Sequence, residues 1–343
     1  MTIAVPAISV LMAVNHAGRF LDPALHSLVS QTFEDFEVIV VDNNSRDGSD
    51  RVIAEWAAKD DRIRSYCMDV LGSAKCLNFA ASVARAPLFA RLDGTNVLAP
   101  DRLRIQHARM EQEPQLGLLG ACVDLIDVDG NVIGRRQLPL TDQELQTFLR
   151  HGNPFVQSTI MMRRAAFEAV GGYRSLRTSE DYDLWCRIAE VTQIANMQES
   201  LARFRVIEGG IPVSRPIRMA LNDACIIAAA RARANGTPEP FVNGAASLRA
   251  ALDILDVSRD EFRYRLLKNV VGIARNAVSR GDTGFAKRMR DRALMLARGL
   301  PFQRLVRGIA YIAASYFPSG SRERRKLALT RLLGAGKSSE TSR

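Results

Sequence analysis

The chain has 343 residues, 47% of them hydrophobic and 24% charged, with 47 Lys and Arg against 37 Asp and Glu for a net charge of +10. That balance is ordinary for a soluble globular protein, with room for two domains and an ample core. The positive charge points to an anionic ligand or surface without choosing among nucleotide phosphates, nucleic acid and acidic lipid, while five scattered cysteines with no C-x-x-C pair argue against a structural zinc site.

The first residues, MTIAVPAISVLMAV, lack the basic start and cleavage site of a secretion signal. No apolar run reaches the ~20 residues that span a bilayer. The expectation is a cytoplasmic protein without a membrane span. Interleaved aromatics and recognisable nucleic-acid-binding modules are missing, so nucleic acid is not an expected partner.

In chain order, Ile8–Val14 carries no charge and suits a buried parallel strand. Asp22 followed by Pro23 predicts a helix start, with Asp22 as N-cap, running to about Ser30. A second strand over 36–41 ends in Asp42, and the turn-rich NNSRDG at 43–48 leads into a helix through Trp56. A short strand at 63–65, a helix over 73–84 and a strand from Leu88 follow. This strand–helix alternation predicts a mostly parallel sheet with right-handed crossovers. The Leu88 run ends in Asp93 and a small-residue turn, which would put Asp93 at the crevice outside the strand ends.

Beyond it, 100–112 predicts a helix, and 116–126 with 132–136 predict strands around a turn. Thr141 and Glu144 form a capping box for a helix to Arg150. A strand is expected over 159–163, a short helix over 165–170, and a helix from Glu180 and Asp181 through Ala189. Acidic residues at a helix start are favoured by its dipole, so that pair also has a purely structural explanation. From about Ser214 helical patterns dominate, at 216–234, 245–256, 259–280 and 282–299. Ser258 with Glu261 forms another capping box. The segment 300–336 sets seven arginines and lysines among apolar residues. It suits either an anionic membrane surface or a solvated basic face over a hydrophobic seam. The domains expected are 1–214, a helical 215–335, and a disordered tail, 336–343.

Several segments in order resemble the family-2 glycosyltransferases of GT-A fold. ISVLMAVNHAGRFLDPALHSLVSQTFEDFEVIVVDNNSRDGS is similar to the family's first strand, helix, second strand and V-D-D-G-S-x-D-G-S loop. GSAKCLN at 72–78 is similar to G-x-x-x-A-x-N, with Cys76 at the Ala position, and RLDGTN stands where the family has L-D-A-D-D. STIMMRRAAFEAVGGYR and SEDYDLWCRIAE are similar to the acceptor-side segments. The resemblance covers about 7–214. It implies an α/β fold, a GT-A (nucleotide-diphospho-sugar transferase, Rossmann-like) domain with a C-terminal helical region.

The resemblance also implies roles. Ala13, Asn15, Asp42, Asn43, Lys75, Asn78, Arg91 and Asp93 fall at donor-binding positions. A carboxylate at Asp42 would accept hydrogen bonds from the nucleotide base or ribose. Asp181, beside Glu180, falls at the general base that takes the acceptor hydroxyl's proton in a single inverting displacement. Gln157 and Trp185 fall on the acceptor side, although Trp185 shares a helix face with Ile188 and Ala189, which suits a core residue. The downstream Q-x-x-R-W of processive relatives is missing, which implies one sugar per encounter. The donor would be a nucleotide-diphosphate sugar, and the acceptor a saccharide or lipid-linked saccharide.

The family motif that holds Mn²⁺ or Mg²⁺ is altered. Thr95 replaces its second aspartate, Asn96 the next acidic residue, Asn43 the second Asp of the V-D-D loop, and Ile207 a frequent histidine. A lone carboxylate is a poor cage for a hard cation. Three accounts stay open: a metal held by Asp93 and Asn96, metal-independent catalysis with Lys75, Arg91 or another cation supplying charge, and a non-catalytic GT-A-like binding or partner protein.

Overall fold

The computed structural model describes residues 5–70, 72–176, 178–207, 216–242 and 245–260, with isolated positions beyond them between 262 and 293. β1 (Ile8–Val14) and β2 (Phe36–Asp42) are buried along nearly their whole length. They pair in parallel with Val14 opposite Asp42, and β4 (Leu88–Arg91) lies along the other side of β1 with Arg91 opposite Leu11. β3 (Ile63–Cys67) adds to β2, also in parallel. The connecting helices are α1 (Leu21–Val29), α2 (Ser49–Lys59) and α3 (Ser73–Val83).

The second half follows as β5 (Val97–Leu98), α4 (Arg102–Gln112), β6 (Leu116–Ile126), β7 (Val132–Arg136), α5 (Asp142–Leu149), β8 (Met161–Arg163), α6 (Arg164–Ala169), α7 (Glu180–Ala189) and β9 (Gln193–Arg205). One sheet results, in the order β3-β2-β1-β4-β8-β6-β9-β5, with β7 on β6. The expected parallel sheet is parallel only through β3, β2, β1 and β4 and again between β6 and β9. β8 runs against both β4 and β6, and β5 and β7 are antiparallel to their neighbours.

Strand residues alternate between two cores, as the pleat requires. Val10, Met12, Val38, Val40 and Met161 pack with Leu25, Leu103 and Met110 on one face. Leu11, Ile39, Val41 and Met162 pack with Leu77, Phe167 and Trp185 on the other. Burial of this kind contributes about 25 cal/mol per Å² of apolar surface removed from water.

Two boundaries move with a local cause. α1 begins at Leu21, behind a 3₁₀ turn at Gly18–Phe20, so Asp22 is in its first turn rather than at its cap. Asp22 instead accepts the Trp56 indole N–H at 2.9 Å. Pro23 still falls in the first turn, where no intrahelical partner is needed for its missing N–H. The strand expected from Thr159 starts at Met161, because Gln157–Thr159 forms a 3₁₀ turn and the Thr159 hydroxyl donates back to the Val156 carbonyl at 2.8 Å. The sequence reading missed β5 and the 13-residue β9 altogether. The capping box at Thr141 and Glu144 is present, with both reciprocal bonds.

Residues up to Gly210 together with Cys225–Ala246 make one compact unit, and Ile211–Ala224 with the residues from Ser247 on make another. α8 (Pro216–Ala234) matches its expected span. The helix expected over 245–256 is α9 (Leu248–Leu255), because Ala245–Ala246 pairs as β11 with β10 (Phe241–Val242). The expectations for 259–299 fall largely, and the basic segment 300–336 and tail 336–343 wholly, outside the described residues. No helix among the described residues is long and apolar enough to cross a membrane.

Glu37 is a buried carboxylate in β2, 1% exposed. It accepts from Ser9 Oγ at 2.7 Å, the Arg85 backbone N–H at 2.7 Å and the guanidinium of Arg64 at 2.9 Å. Burial pushes its pKa up, but these donors outweigh burial and hold it below its ordinary 4.5. A lowered folded-state pKa contributes stability that is whole above the unfolded value and lost as pH falls through the folded one. Glu37→Gln is expected to cost about 2 kcal/mol at pH 7, and the gap to wild type should narrow below about pH 4.5. Urea midpoints of both proteins at pH 7 and pH 3.5 check this; a gap that widens in acid overturns it.

Candidate active site

The first part of the candidate site is built where β1 and β2 finish together. Asp42, 6% exposed, accepts the Ser45 N–H on both carboxylate oxygens at 3.3 Å. The Asn15 amide donates to the Asn43 carbonyl at 2.8 Å, and Asn43 Oδ1 accepts the Val70 N–H at 3.1 Å. The structure therefore brings Asn15, Asp42 and Asn43 together, with Ala13 half-buried just before the end of β1. Asp47, which the sequence reading passed over, locks this loop by accepting the Gly18 N–H at 2.8 Å and the Ser49 hydroxyl at 2.7 Å.

Asp93 follows β4 by two residues. Gly94 permits this turn: a Cβ there would stand 3.0 Å from the Ala17 Cβ and 3.3 Å from Leu21. Asp93 Oδ1 pairs with Arg91 Nη2 at 3.0 Å, and Oδ2 accepts the Ser158 hydroxyl at 2.8 Å. Arg91 is 1% exposed, and its other terminal nitrogen donates to the Leu11 and Leu92 carbonyls. It stands behind Asp93 rather than in the crevice, which corrects its assignment as a direct donor contact. Behind it lies Arg102, 0% exposed, donating to the Arg91 carbonyl at 2.9 Å and the Ile160 carbonyl at 2.9 Å. Burial, then the neighbouring Arg91 charge, lower the Arg102 pKa to about 9, with Asp93 opposing; it stays a cation at neutral pH.

Asn96 does not face the crevice as a ligand. It is 2% exposed, its Nδ2 donates to Ser158 Oγ at 2.7 Å, and its Oδ1 accepts the Arg205 N–H at 2.9 Å. Its amide joins the Asp93 turn to the end of β9. Ser158, Arg102 and Arg205 are thus site-building residues that the motif comparison passed over.

The opposite wall is the start of α7. Ser179, in the left-handed region at φ 62°, turns the chain into Glu180 and Asp181. Asp181 Oδ2 accepts Asn153 Nδ2 at 3.0 Å, and Arg136 of β7 lies within electrostatic range of Asp181. Glu180 accepts the Ser73 hydroxyl at the first residue of α3. Cys76, one turn on, feels Asp42: burial first, then that carboxylate, push its thiol up. α3 therefore bridges the two walls, and Lys75 is exposed in its first turn.

Asn78 holds α3 to the acceptor-side segment, accepting the Tyr173 N–H at 2.9 Å and donating to the Tyr173 carbonyl at 2.8 Å. Gly172, at φ +69°, allows it, since a Cβ would come within 2.8 Å of Asn78 Oδ1. Both ends of the amide are committed, so Asn78 positions α3. Tyr173 is 3% exposed. Burial pushes its phenol above the ordinary range, Asp181, Glu180 and Asp93 push it further, and Arg91 opposes. Tyr173 therefore has the Asp93 turn and the Glu180–Asp181 pair within electrostatic reach at once.

Gln157 is half-buried, one residue before Ser158. Trp185 is 0% exposed and packs edge-on against Phe155 and Tyr173, each with ring centroids 6.3 Å apart. It has no face left for an acceptor, which corrects its acceptor-side assignment: it is core.

A divalent cation does not fit this donor set. No group of three or more His, Cys, Asp or Glu side chains among the described residues could hold a metal. Asp93 already has Arg91 on one oxygen and Ser158 on the other, and Asn96 is tied into the fold.

A parallel half with carboxylates at its strand ends, closed by a mixed half that offers an acidic helix start, is the GT-A architecture of nucleotide-sugar transferases. The family model described as Glycosyl transferase family 2 matches residues 9–171. The putative glycosyltransferase EpsE of Bacillus subtilis is 34% identical over 58% of this chain and 73% of its own length. The O-antigen biosynthesis glycosyltransferase WbnJ of Escherichia coli is 30% identical over 58% of this chain and 79% of its own. Among solved structures, the mannosyltransferase PcManGT of Pyrobaculum calidifontis, in complex with GDP-Man and Mn²⁺, superposes with a TM-score of 0.53 at 17% identity, over 91% of this chain and 86% of that one. The chain belongs to glycosyltransferase family 2.

Proposed function

We propose that this chain transfers one sugar from a nucleotide-diphosphate donor to a hydroxyl of a saccharide or lipid-linked saccharide, with inversion at the anomeric carbon. The observation that carries the proposal is the set of carboxylates at element ends: Asp42 closing β2, Asp93 just past β4, and Asp181 in the first turn of α7, oriented by Asn153. Asp42 and Asp93 receive the nucleoside. Asp181, half-exposed and oriented by Asn153, takes the proton of the acceptor hydroxyl. The acceptor oxygen bonds to the anomeric carbon as the bond to the β-phosphate oxygen breaks, and the nucleoside diphosphate leaves with that electron pair. No covalent sugar–enzyme intermediate is required. A carbohydrate acceptor agrees with the name of the relative WbnJ, and a nucleotide-sugar donor with the GDP-Man in PcManGT.

The test is release of nucleoside diphosphate from a panel of UDP- and GDP-sugars, with and without saccharide acceptors. Acceptor-stimulated release supports the transferase. Nucleotide binding without release from any donor would favour the alternative of a GT-A-like binding protein, which the altered metal motif suggests.

A further inference from the structure

We infer that this chain binds its donor's diphosphate without a divalent cation, with fixed protein cations and hydroxyl donors doing what a metal would do. The inference rests on the transferase assignment above and deepens it.

A divalent cation needs a cluster of oxygen ligands whose summed charge is negative. The turn after β4 offers the reverse. It has one carboxylate, Asp93, and two guanidinium groups, Arg91 and Arg102, that are 1% and 0% exposed. Arg91 already neutralises Asp93 at 3.0 Å. The three groups sum to one positive charge, and the two guanidiniums that set its sign are buried away from water, where electrostatic effects are least screened. A cation brought there is repelled by the pair of arginines. A diphosphate is attracted by the same pair.

The replaced residues change sign in the same direction. Thr95 stands where a second carboxylate would stand, is half-exposed, and has no hydrogen-bond partner for its hydroxyl among the described residues. A carboxylate can only accept at that point, whereas a threonine hydroxyl can donate to a phosphate oxygen. Asn96, at the next position, is withdrawn into bonds with Ser158 and Arg205. Lys75, exposed in the first turn of α3, adds a further ammonium at the start of that helix. Preorganised cations of this kind can stabilise the charge that develops on a departing nucleoside diphosphate.

Calorimetry of UDP and GDP binding to the full chain, in EDTA and in Mn²⁺, tests the inference. The dissociation constant of whichever nucleotide binds is expected to agree within about threefold between the two conditions, which is less than the 1.4 kcal/mol of a tenfold change. A loss of tenfold or more in EDTA overturns the inference and leaves the transferase assignment standing. Failure of both nucleotides to bind in either condition overturns both. Thr95→Asp is the second arm. Restoring the carboxylate should weaken binding in EDTA at least tenfold and make Mn²⁺ recover part of the loss. A variant that binds equally well in EDTA overturns the role given to Thr95 and to the charge balance around it.

Discussion

Asp181→Asn is expected to cut sugar transfer by ~10²–10⁴-fold while nucleoside-diphosphate binding stays within about threefold of wild type. The amide has the same shape and can still pair with Asn153, which now donates to Asp181 Oδ2 at 3.0 Å. What it cannot do is take a proton. General-base catalysis contributes ~10²–10⁴-fold, so turnover should fall by about that factor. Asp42, Asn43 and Asp93, the residues proposed to receive the donor, lie on different elements and are left untouched. Nucleoside-diphosphate release in the presence of acceptor, measured alongside calorimetry, separates the two effects. Turnover within a few-fold of wild type would remove Asp181 from the role of base. Lost donor binding would show instead that Asp181 shapes the nucleotide site.

Asp183→Ala should be the most destabilising single change near the site, although Asp183 takes no part in the chemistry. Its carboxylate is 0% exposed and pairs with Arg187 at 2.7 Å and 3.0 Å, and with Arg174 at 3.4 Å. Removing it leaves the Arg187 guanidinium, 5% exposed, without its counter-charge. Breaking a buried pair in this way costs about 3–5 kcal/mol. Arg174 suffers less, because Glu239 still holds it at 2.6 Å. Urea unfolding read by Trp fluorescence measures the loss. The double variant Asp183→Leu with Arg187→Met should regain most of it, because the cost lies in the unpaired charge rather than in the absence of a salt bridge. A single variant within 1 kcal/mol of wild type would show that Arg187 finds another partner.

Asp181 and Asp183 illustrate what the chain discloses and what it withholds. Both lie in one acidic helix start, and the family comparison singles out the first. Two residues apart on a helix, they point about 200° apart, so one faces the crevice while the other faces the core. The partner four residues on, Arg187, was a readable signal for the buried one. Trp185 was likewise legible as core from its helix face, and it is core.

The local pattern by itself determined the first half. β1, β2 and β4 are short buried runs, each bounded by turn residues, and their carboxyl ends carry Asn15, Asp42 and Asp93 in predictable places. Strands of this kind announce themselves because both faces are buried, so nearly every residue is apolar. β9 does not. Its sequence, QIANMQESLARFR, mixes polar and apolar residues, and it becomes a strand by pairing with β6 through two irregular stretches. Only the tertiary structure decided that Asn96 would be fastened to Arg205, 109 residues away, and Asp93 to Ser158, 65 residues away. Only it decided that Arg91 and Arg102 would be buried together behind the one remaining carboxylate. A motif names the residues at a strand end; the charge that a ligand meets there depends on what long-range packing brings behind them.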